Sequence, residues 1–314
     1  MPNNLIINNL VSKVATETLP LFSKSTAIYL IIALGATMLS YILLNSFWKL
    51  FKKDKYKGVR FTTKNIAYIT MLSSVSVVAT IIISITIPLT VLPPIRIAIE
   101  GLMIKITGYL FGPVIGIICA AVTDILVTLF VPSYISPVYM FCIVFTGFLA
   151  GVAGILNVKL KNYPWIIFIL INIFIIFFAG GGAYIVLCSD QSSYSVSGIN
   201  FNKYATAGII AGGGAFALLS IYSVLFYYLW QRQSERIKEI LPIILLAVVA
   251  EYVVTVLIAS YADMTLFSSN VKEYGLTAMA RIIMAPFKII VNSIIIYITW
   301  RTVSPLINID NNNY

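Results

Sequence analysis

Residues 162–189 read NYPWIIFILINIFIIFFAGGGAYIVLCS and contain no charged side chain. A helix of about 20 apolar residues crosses the hydrocarbon core of a bilayer, so this stretch predicts a membrane span. Comparable uncharged runs cover 25–48, 65–95, 125–158 and 204–231. The chain of 314 residues is 60% hydrophobic and 10% charged, whereas soluble proteins are about 25% charged. These values exclude a water-soluble globule and predict an all-α polytopic membrane protein.

Two further apolar stretches are each interrupted by charged residues, 240–262 by Glu251 and 276–300 by Arg281 and Lys288. Prolines then determine how the apolar runs divide into spans. Because proline breaks a helix interior, the long runs divide into separate segments. The predicted helices, about nine in all, lie near 26–48, 65–88, 96–110, 113–131, 137–157, 163–187, 206–230, 240–262 and 276–302.

The basic segment 49–64 sets the predicted orientation. It holds seven lysines and arginines and one acid, Asp54. Short basic loops stay in the cytoplasm, so we expect the N-terminus outside the cell membrane and the C-terminus in the cytoplasm. The first apolar run, 26–48, is expected to be a retained signal-anchor helix. The net charge of +10 then reports membrane orientation and does not indicate nucleic acid.

Several ionisable residues fall inside predicted spans. Such groups cost about 2.5–3.5 kcal/mol each and normally face a cavity or a partner. Either they neutralise one another between helices, or some of them contact a polar or anionic solute. Arg96 and Glu100 are one turn apart, and Arg281 and Lys288 lie two turns apart on one helix face. The full set is Arg96, Glu100, Lys105, Asp124, Glu251, Arg281 and Lys288.

The composition also limits the chemistry of the chain. There is no histidine, and the three cysteines form no CxxC pair, so no metal site or cofactor is expected. No phosphate-binding motif of the G-x-x-x-x-G-K-[ST] type occurs. The acids are dispersed rather than clustered as D-x-x-D, which disfavours a lipid or isoprenoid transferase. We therefore expect neither an enzyme nor an ATPase.

The segment G-Y-L-F-G-P-V-I-G, Gly108 to Gly116, carries the most specific pattern in the chain. Gly108, Gly112 and Gly116 recur every fourth residue, a spacing that lets helices approach closely. Pro113 lies within the motif and Asp124 follows it. Further along come a helix with G-x-x-x-G at Gly147–Gly151, and ARIIMAPFKIIVNSIIIYI at 280–298.

With these motifs, residues 65–157 and 240–302 resemble the substrate-binding S component of energy-coupling factor (ECF) vitamin transporters. The resemblance implies six core helices that bind a vitamin near the outer face. It also implies docking on a transmembrane coupling subunit that carries two cytoplasmic ATPases. In the family, docking uses small residues on the first core helix, matched here by Ser73, Ser76 and Thr80.

The resemblance divides the chain into a core and additions, and it leaves the vitamin open. R-I-A-I-E-G-L, D-I-L and the arginine of the last helix are closest to folate-type members, whereas A-Y-I-T-M-L-S and P-F-K look more like riboflavin-type members. The predicted segments are an extracytoplasmic segment 1–25, an added helix 26–48, a basic cytoplasmic loop 49–64, core helices one to four in 65–157, an inserted helix pair 158–239 with outer loop 188–205, core helices five and six in 240–302, and a polar tail 303–314.

The ligand residues follow from the same assignment. Arg281 is the strongest candidate, because it lies in the predicted outer half of its helix and presents a planar donor pair suited to a carboxylate or phosphate. If Arg281 is instead part of an internal ion pair, Glu251 is the expected partner. Aromatic faces and hydrogen-bonding groups suit a flat heteroaromatic ring. The candidate ligand residues are Arg96, Glu100, Tyr139, Tyr252, Tyr261, Arg281 and Lys288.

A self-sufficient secondary transporter is the main alternative in function. Such proteins are built from repeats with paired broken helices, and the sequence shows no internal symmetry of that kind. An S component should purify together with an ATPase pair, whereas a secondary transporter or an enzyme should not.

Overall fold

The structure, a computed structural model, describes the chain from residue 63 onward with short gaps, and only single positions before that. The N-terminal segment 1–25 and most of the expected anchor helix 26–48 and basic loop 49–64 lie outside the described residues. The described ranges are 63–86, 93–130, 137–160, 163–188, 193–196, 199–267 and 271–311, with scattered positions between 28 and 46 that are helical.

Apolar sequence and the positions of proline determine the first four helices. Three of the four begin at a proline, which suits the first turn of a helix because its missing N–H has no partner there. The helices are α1 (Thr63–Thr86), α2 (Pro93–Phe111), α3 (Pro113–Phe130) and α4 (Pro137–Lys159).

Residues 158–239, which the sequence predicts to be an insertion, contain two long helices and a short hairpin. The predicted outer loop 188–205 contains two antiparallel strands with Ser193 opposite Asn202. The loop prediction missed them, although Tyr194, Val196 and Phe201 are residue types that favour strands. The elements are α5 (Pro164–Cys188), β1 (Ser193–Val196), β2 (Ile199–Asn202) and α6 (Lys203–Trp230).

The last part of the chain forms two long helical rods. The first begins at Ser234, six residues before the predicted start at 240, and continues through a π-helical stretch. The second runs to Asn311, so much of the expected polar tail 303–314 is helical. The elements are α7 (Ser234–Val249), the π segment (Ala250–Ile258), α8 (Ala259–Phe267) and α9 (Val271–Asn311).

Within the described residues, six helical stretches are long and apolar enough to cross a membrane. They are 113–130, 138–158, 164–188, 203–230, 234–263 and 277–305, while α1 and α2 contribute shorter apolar stretches at 66–82 and 101–111. The prediction of an all-α polytopic membrane protein is confirmed at this level.

Helices α2, α3 and α4 cross at glycines of the motif. A Cβ atom on Gly108 would lie 2.6 Å from the carbonyl oxygen of Gly147, and one on Gly116 would overlap the same oxygen. A Cβ atom on Gly151 would collide with the backbone of Pro113. Gly112 joins α2 to α3 with φ of 96°, a conformation that side-chain-bearing residues rarely adopt. These contacts confirm the close approach that the glycine spacing predicts.

The inserted helices pack against each other and against α9. A Cβ atom on Gly214 of α6 would overlap the Ala179 side chain of α5. Positions Gly213 and Gly182 approach α9, where a Cβ atom would lie 3.3 Å from Pro286 and 3.2 Å from Ile282, respectively. Gly182, Gly213 and Gly214 therefore let α5 and α6 pack closely against each other and against α9.

Candidate functional site

Ion pairs buried between helices form two groups in this bundle. The arginine cluster consists of Arg281 with Tyr139, Asp263 and the carbonyl of Thr255. The lysine cluster consists of Lys105, Glu251 and Lys288. Both groups use α9 and the continuous rod formed by α7, the π segment and α8, while α4 completes the first cluster and α2 the second.

Arg281 is buried and bound by protein groups on two of its nitrogens. Its side chain is 1% exposed. One guanidinium nitrogen donates to Oδ2 of Asp263 over 2.7 Å, and the other donates to the carbonyl oxygen of Thr255 over 3.1 Å. The Tyr139 hydroxyl donates to the second Asp263 oxygen, Oδ1. In the arginine cluster, Arg281 and Asp263 thus neutralise each other, and each also makes a further hydrogen bond within the protein.

Lys288 and Glu251 form the second ion pair, two helical turns from Arg281 along α9. The Lys288 Nζ and Glu251 Oε1 atoms are 2.9 Å apart, and their side chains are 4% and 0% exposed, respectively. Lys105, which is 4% exposed, interacts electrostatically with both of them. Burial of this kind is costly unless the charges are paired, and the described ion pair of this cluster joins Lys288 to Glu251.

The π segment connects the two clusters. It contains both Glu251 and Thr255, and the Thr255 hydroxyl donates to the carbonyl oxygen of Ala250, five residues earlier, over 3.4 Å. Stretches of π-helix are rare in proteins, and those that occur often lie at functional sites. Here the segment places a carboxylate toward Lys288 and, one turn further, a carbonyl oxygen toward Arg281.

The structure brings together some of the predicted ligand residues and separates others. Tyr139 and Arg281 meet at Asp263. Tyr252 is buried, and its ring stacks on Phe178 of the inserted helix α5 with centroids 4.9 Å apart. Tyr261 is 50% exposed. Arg96 and Glu100 lie on α2, and their side chains fall outside the described part of the chain.

Asp263 is the functional candidate that sequence reasoning missed. It follows directly after the predicted end of its helix at 262, in a segment expected to leave the membrane. The helix instead continues to Phe267, which holds the carboxylate against Arg281. The partner of Arg281 is therefore Asp263, and Glu251, the expected partner, binds Lys288.

The expected docking face on α1 points into the protein. Ser76 and Thr80 are buried, and the Ser73 hydroxyl donates to the sulfur of Cys119 on α3 over 3.1 Å. The exposed side of α1 instead carries Met71 and Val78 among other residues. Ser73, Ser76 and Thr80 therefore line a contact between helices of this chain, and their role in docking a coupling subunit stays a prediction.

Asp124, a residue of the recognised motif, lies half-buried on α3 and interacts electrostatically with Cys142 on α4. Cys142 in turn interacts with Arg281 and Asp263. Asp124 therefore adds negative charge to the surroundings of the arginine cluster.

The cysteines and acids form no metal-binding cluster in the described ranges. Cys119 and Cys142 are buried, Cys188 is exposed, and all three are free thiols. No group of three histidine, cysteine, aspartate or glutamate side chains converges within the part of the chain that the structure describes.

Comparisons with known proteins give one partial match. Over 60 residues the chain is 37% identical to an uncharacterized protein of Mycoplasma pneumoniae, described as an MG098 homolog. The matched part makes up 19% of this chain and only 12% of that protein. No family model matches the chain, and no solved structure matches it.

Proposed function

We propose that the chain is the membrane-embedded S component of an ECF-type importer of water-soluble vitamins. The observation that carries the proposal is the glycine crossing of α2, α3 and α4. The residues on which the resemblance rests, Gly108–Gly116 and Gly147–Gly151, contact one another directly. A motif that forms one structural unit is stronger support for kinship than the same letters scattered over a surface.

The proposed topology has nine spans in the plasma membrane, with the N-terminus outside and the C-terminus in the cytoplasm. Six core helices then correspond to α1–α4, the α7–α8 rod and α9. The pair α5 and α6 is an insertion of an even number of spans, which keeps the orientation of the core unchanged. Its packing on α9 through Gly182 and Gly213 makes it an integral part of the bundle.

The proposed ligand is a vitamin captured at the outer face, with folate favoured and riboflavin as the alternative. Buried cations in a membrane protein suit a ligand with carboxylates, which favours folate. Delivery is proposed to need a transmembrane coupling subunit and two cytoplasmic ATPases, because the chain carries no phosphate-binding motif of its own.

Affinity purification from the native membrane tests this proposal. The tagged full chain should bring down a coupling subunit and two ATPases. The purified chain alone should bind a vitamin without hydrolysing ATP. Vitamin-dependent ATP hydrolysis by the isolated chain would contradict the proposal, as would purification without any ATPase under conditions that preserve complexes.

A stand-alone secondary transporter is the second candidate, and the buried charge clusters favour it. Acidic and basic side chains in the membrane interior often form ion or proton pathways, and Glu251, Lys288 and Lys105 are buried in that way. Vitamin uptake by proteoliposomes that contain only this chain, driven by an ion gradient and without ATP, would establish this function and exclude the S component.

A further inference from the structure

The lysine cluster carries more positive than negative charge. Two lysines, Lys105 and Lys288, interact electrostatically with the one carboxylate of Glu251, and all three side chains are buried. The Nζ atom of Lys288 donates to Oε1 of Glu251 over 2.9 Å. Among carboxylates whose side chains the structure describes, none lies within ion-pair distance of Lys105. Within the part of the chain whose side chains are described, Lys105 therefore has no carboxylate paired with it.

The position of Lys105 is held by its neighbours on α2 and α4. A Cβ atom on Gly101 would lie 3.8 Å from the Cε atom of Lys105 and 3.9 Å from the Cγ2 atom of Thr146. The lysine stem thus lies over the glycine, beside α4. The small residue at 101 leaves room for the stem, and the ammonium stays within electrostatic reach of Glu251 and Lys288.

Glu251 has an oxygen atom that lacks a hydrogen-bond donor in the same cluster. Its Oε2 atom is buried and has no hydrogen-bond donor among the described residues. A buried carboxylate oxygen without a donor is unfavourable. The site therefore presents an ammonium that needs an anion and an oxygen that needs an N–H or O–H group.

We propose that the lysine cluster is the anion-binding end of the ligand site. Lys105 receives a carboxylate or phosphate of the solute, and Glu251 Oε2 accepts an N–H or O–H of the same solute. This inference rests on the proposed function as a ligand-binding membrane subunit. It assigns the ligand anion to Lys105 and not to Arg281, whose guanidinium already binds Asp263 and Thr255.

Vitamin binding to purified Lys105→Met protein tests the assignment, with folate as the anionic probe and riboflavin as the uncharged one. Methionine keeps the length of the lysine stem and removes the charge. Affinity for folate should fall about tenfold to a hundredfold, the range for losing a hydrogen bond to a charged group. Lys238→Met is the matched control, because it removes one charge at an exposed surface pair and should leave affinity unchanged.

Each other result has a definite meaning. If the wild-type chain binds neither folate nor riboflavin nor any other vitamin, the proposed function fails. If it binds riboflavin but no anionic vitamin, or if Lys105→Met binds folate normally, the assignment to Lys105 fails while the proposed function stands. If Lys105→Met does not fold without ligand, Lys105 is a structural counterion, which also overturns the inference, since removing surplus charge should be tolerated.

Discussion

The arginine cluster and the lysine cluster share α9 and the α7–α8 rod, yet they balance their charges differently. In the first, Arg281 and Asp263 neutralise each other, and Tyr139 and a carbonyl fill their remaining hydrogen bonds. In the second, one carboxylate faces two ammonium groups and keeps one oxygen without a donor. The first cluster is complete as a structural link, whereas the second has unmatched charge that a ligand can complete.

Loss of Lys288 should have the largest effect on stability. Lys288→Met leaves Glu251, which is 0% exposed, without its ion-pair partner. Breaking a buried pair in this way costs about 3–5 kcal/mol in free energy of unfolding. Denaturation in mixed micelles measures the change. The double variant Glu251→Gln with Lys288→Met removes the unpaired carboxylate and should recover part of the loss, because Lys105 then lacks the carboxylate of Glu251.

An equal loss in the single and double variants would show that Lys288 acts through packing and not through its charge. A loss below about 1 kcal/mol in Lys288→Met, the size expected for a surface pair, would mean that Lys105 takes over Glu251 completely. That result would contradict the expected size of the loss and would show that the second ammonium of the cluster can neutralise Glu251 alone.

Loss of Arg281 should have a smaller effect, because Asp263 is 13% exposed and keeps the Tyr139 hydroxyl as a donor. Arg281→Met is expected to lower the free energy of unfolding by about 1.5–3 kcal/mol. Arg281→Lys should recover only part of this, since lysine lacks the planar fork that reaches both Asp263 and Thr255.

Vitamin affinity in the Arg281 variants separates the two clusters by function. The sequence-based prediction is that Arg281 binds the ligand anion, in which case Arg281→Ala weakens binding about tenfold or more. With Arg281 already paired, we expect a smaller change than in Lys105→Met. A larger loss in the Arg281 variant, measured on folded protein by titration calorimetry, would return the ligand anion to the arginine cluster.

Much of the fold could be predicted from apolar runs, but the ends of the helices after residue 230 were predicted less accurately. Hydrophobic length and proline identified the helices between 63 and 230 to within a few residues. The predicted end at 262 is too early, because the apolar stretch ends there while the helix continues through Asp263 to Phe267. A charged residue marks such a boundary only when it lacks a partner inside, and that partner, Arg281, lies on another helix.

The candidate residues of the site were predicted better than their pairing. Arg281, Lys288 and Glu251 stand out as charges in apolar segments, which a single sequence reveals. Which acid meets which base depends on the rotation of one helix against another. The π segment changes that rotation between Glu251 and Asp263, and the sequence shows no direct signal for it.

Two serines on α1, Ser76 and Ser74, compare a buried position with an exposed one where no charge is involved. Ser76 is buried at 2% exposure, while Ser74 is exposed and donates to the Thr70 carbonyl. Ser76→Leu should cost about 1–3 kcal/mol through overpacking, and Ser74→Leu should be tolerated. If Ser76→Leu folds with wild-type stability and fails only in uptake by the complete transporter, the result would support the docking role predicted from the sequence.

Tyr139→Phe should have the smallest effect and sharpens the view of the arginine cluster as a closed link. The change removes one hydrogen bond to Asp263 Oδ1 and keeps the ring. Because Asp263 is partly exposed, water can replace the hydroxyl, so the expected loss is about 0.5–1.5 kcal/mol. Tyr204→Phe, at an exposed position, is the control and should be neutral.

A loss as large as that of Arg281→Met would mean that the tyrosine, and not the guanidinium, holds the Asp263 carboxylate in place. A negligible loss would mean that the ion pair between Arg281 and Asp263 is sufficient to hold α8 against α9.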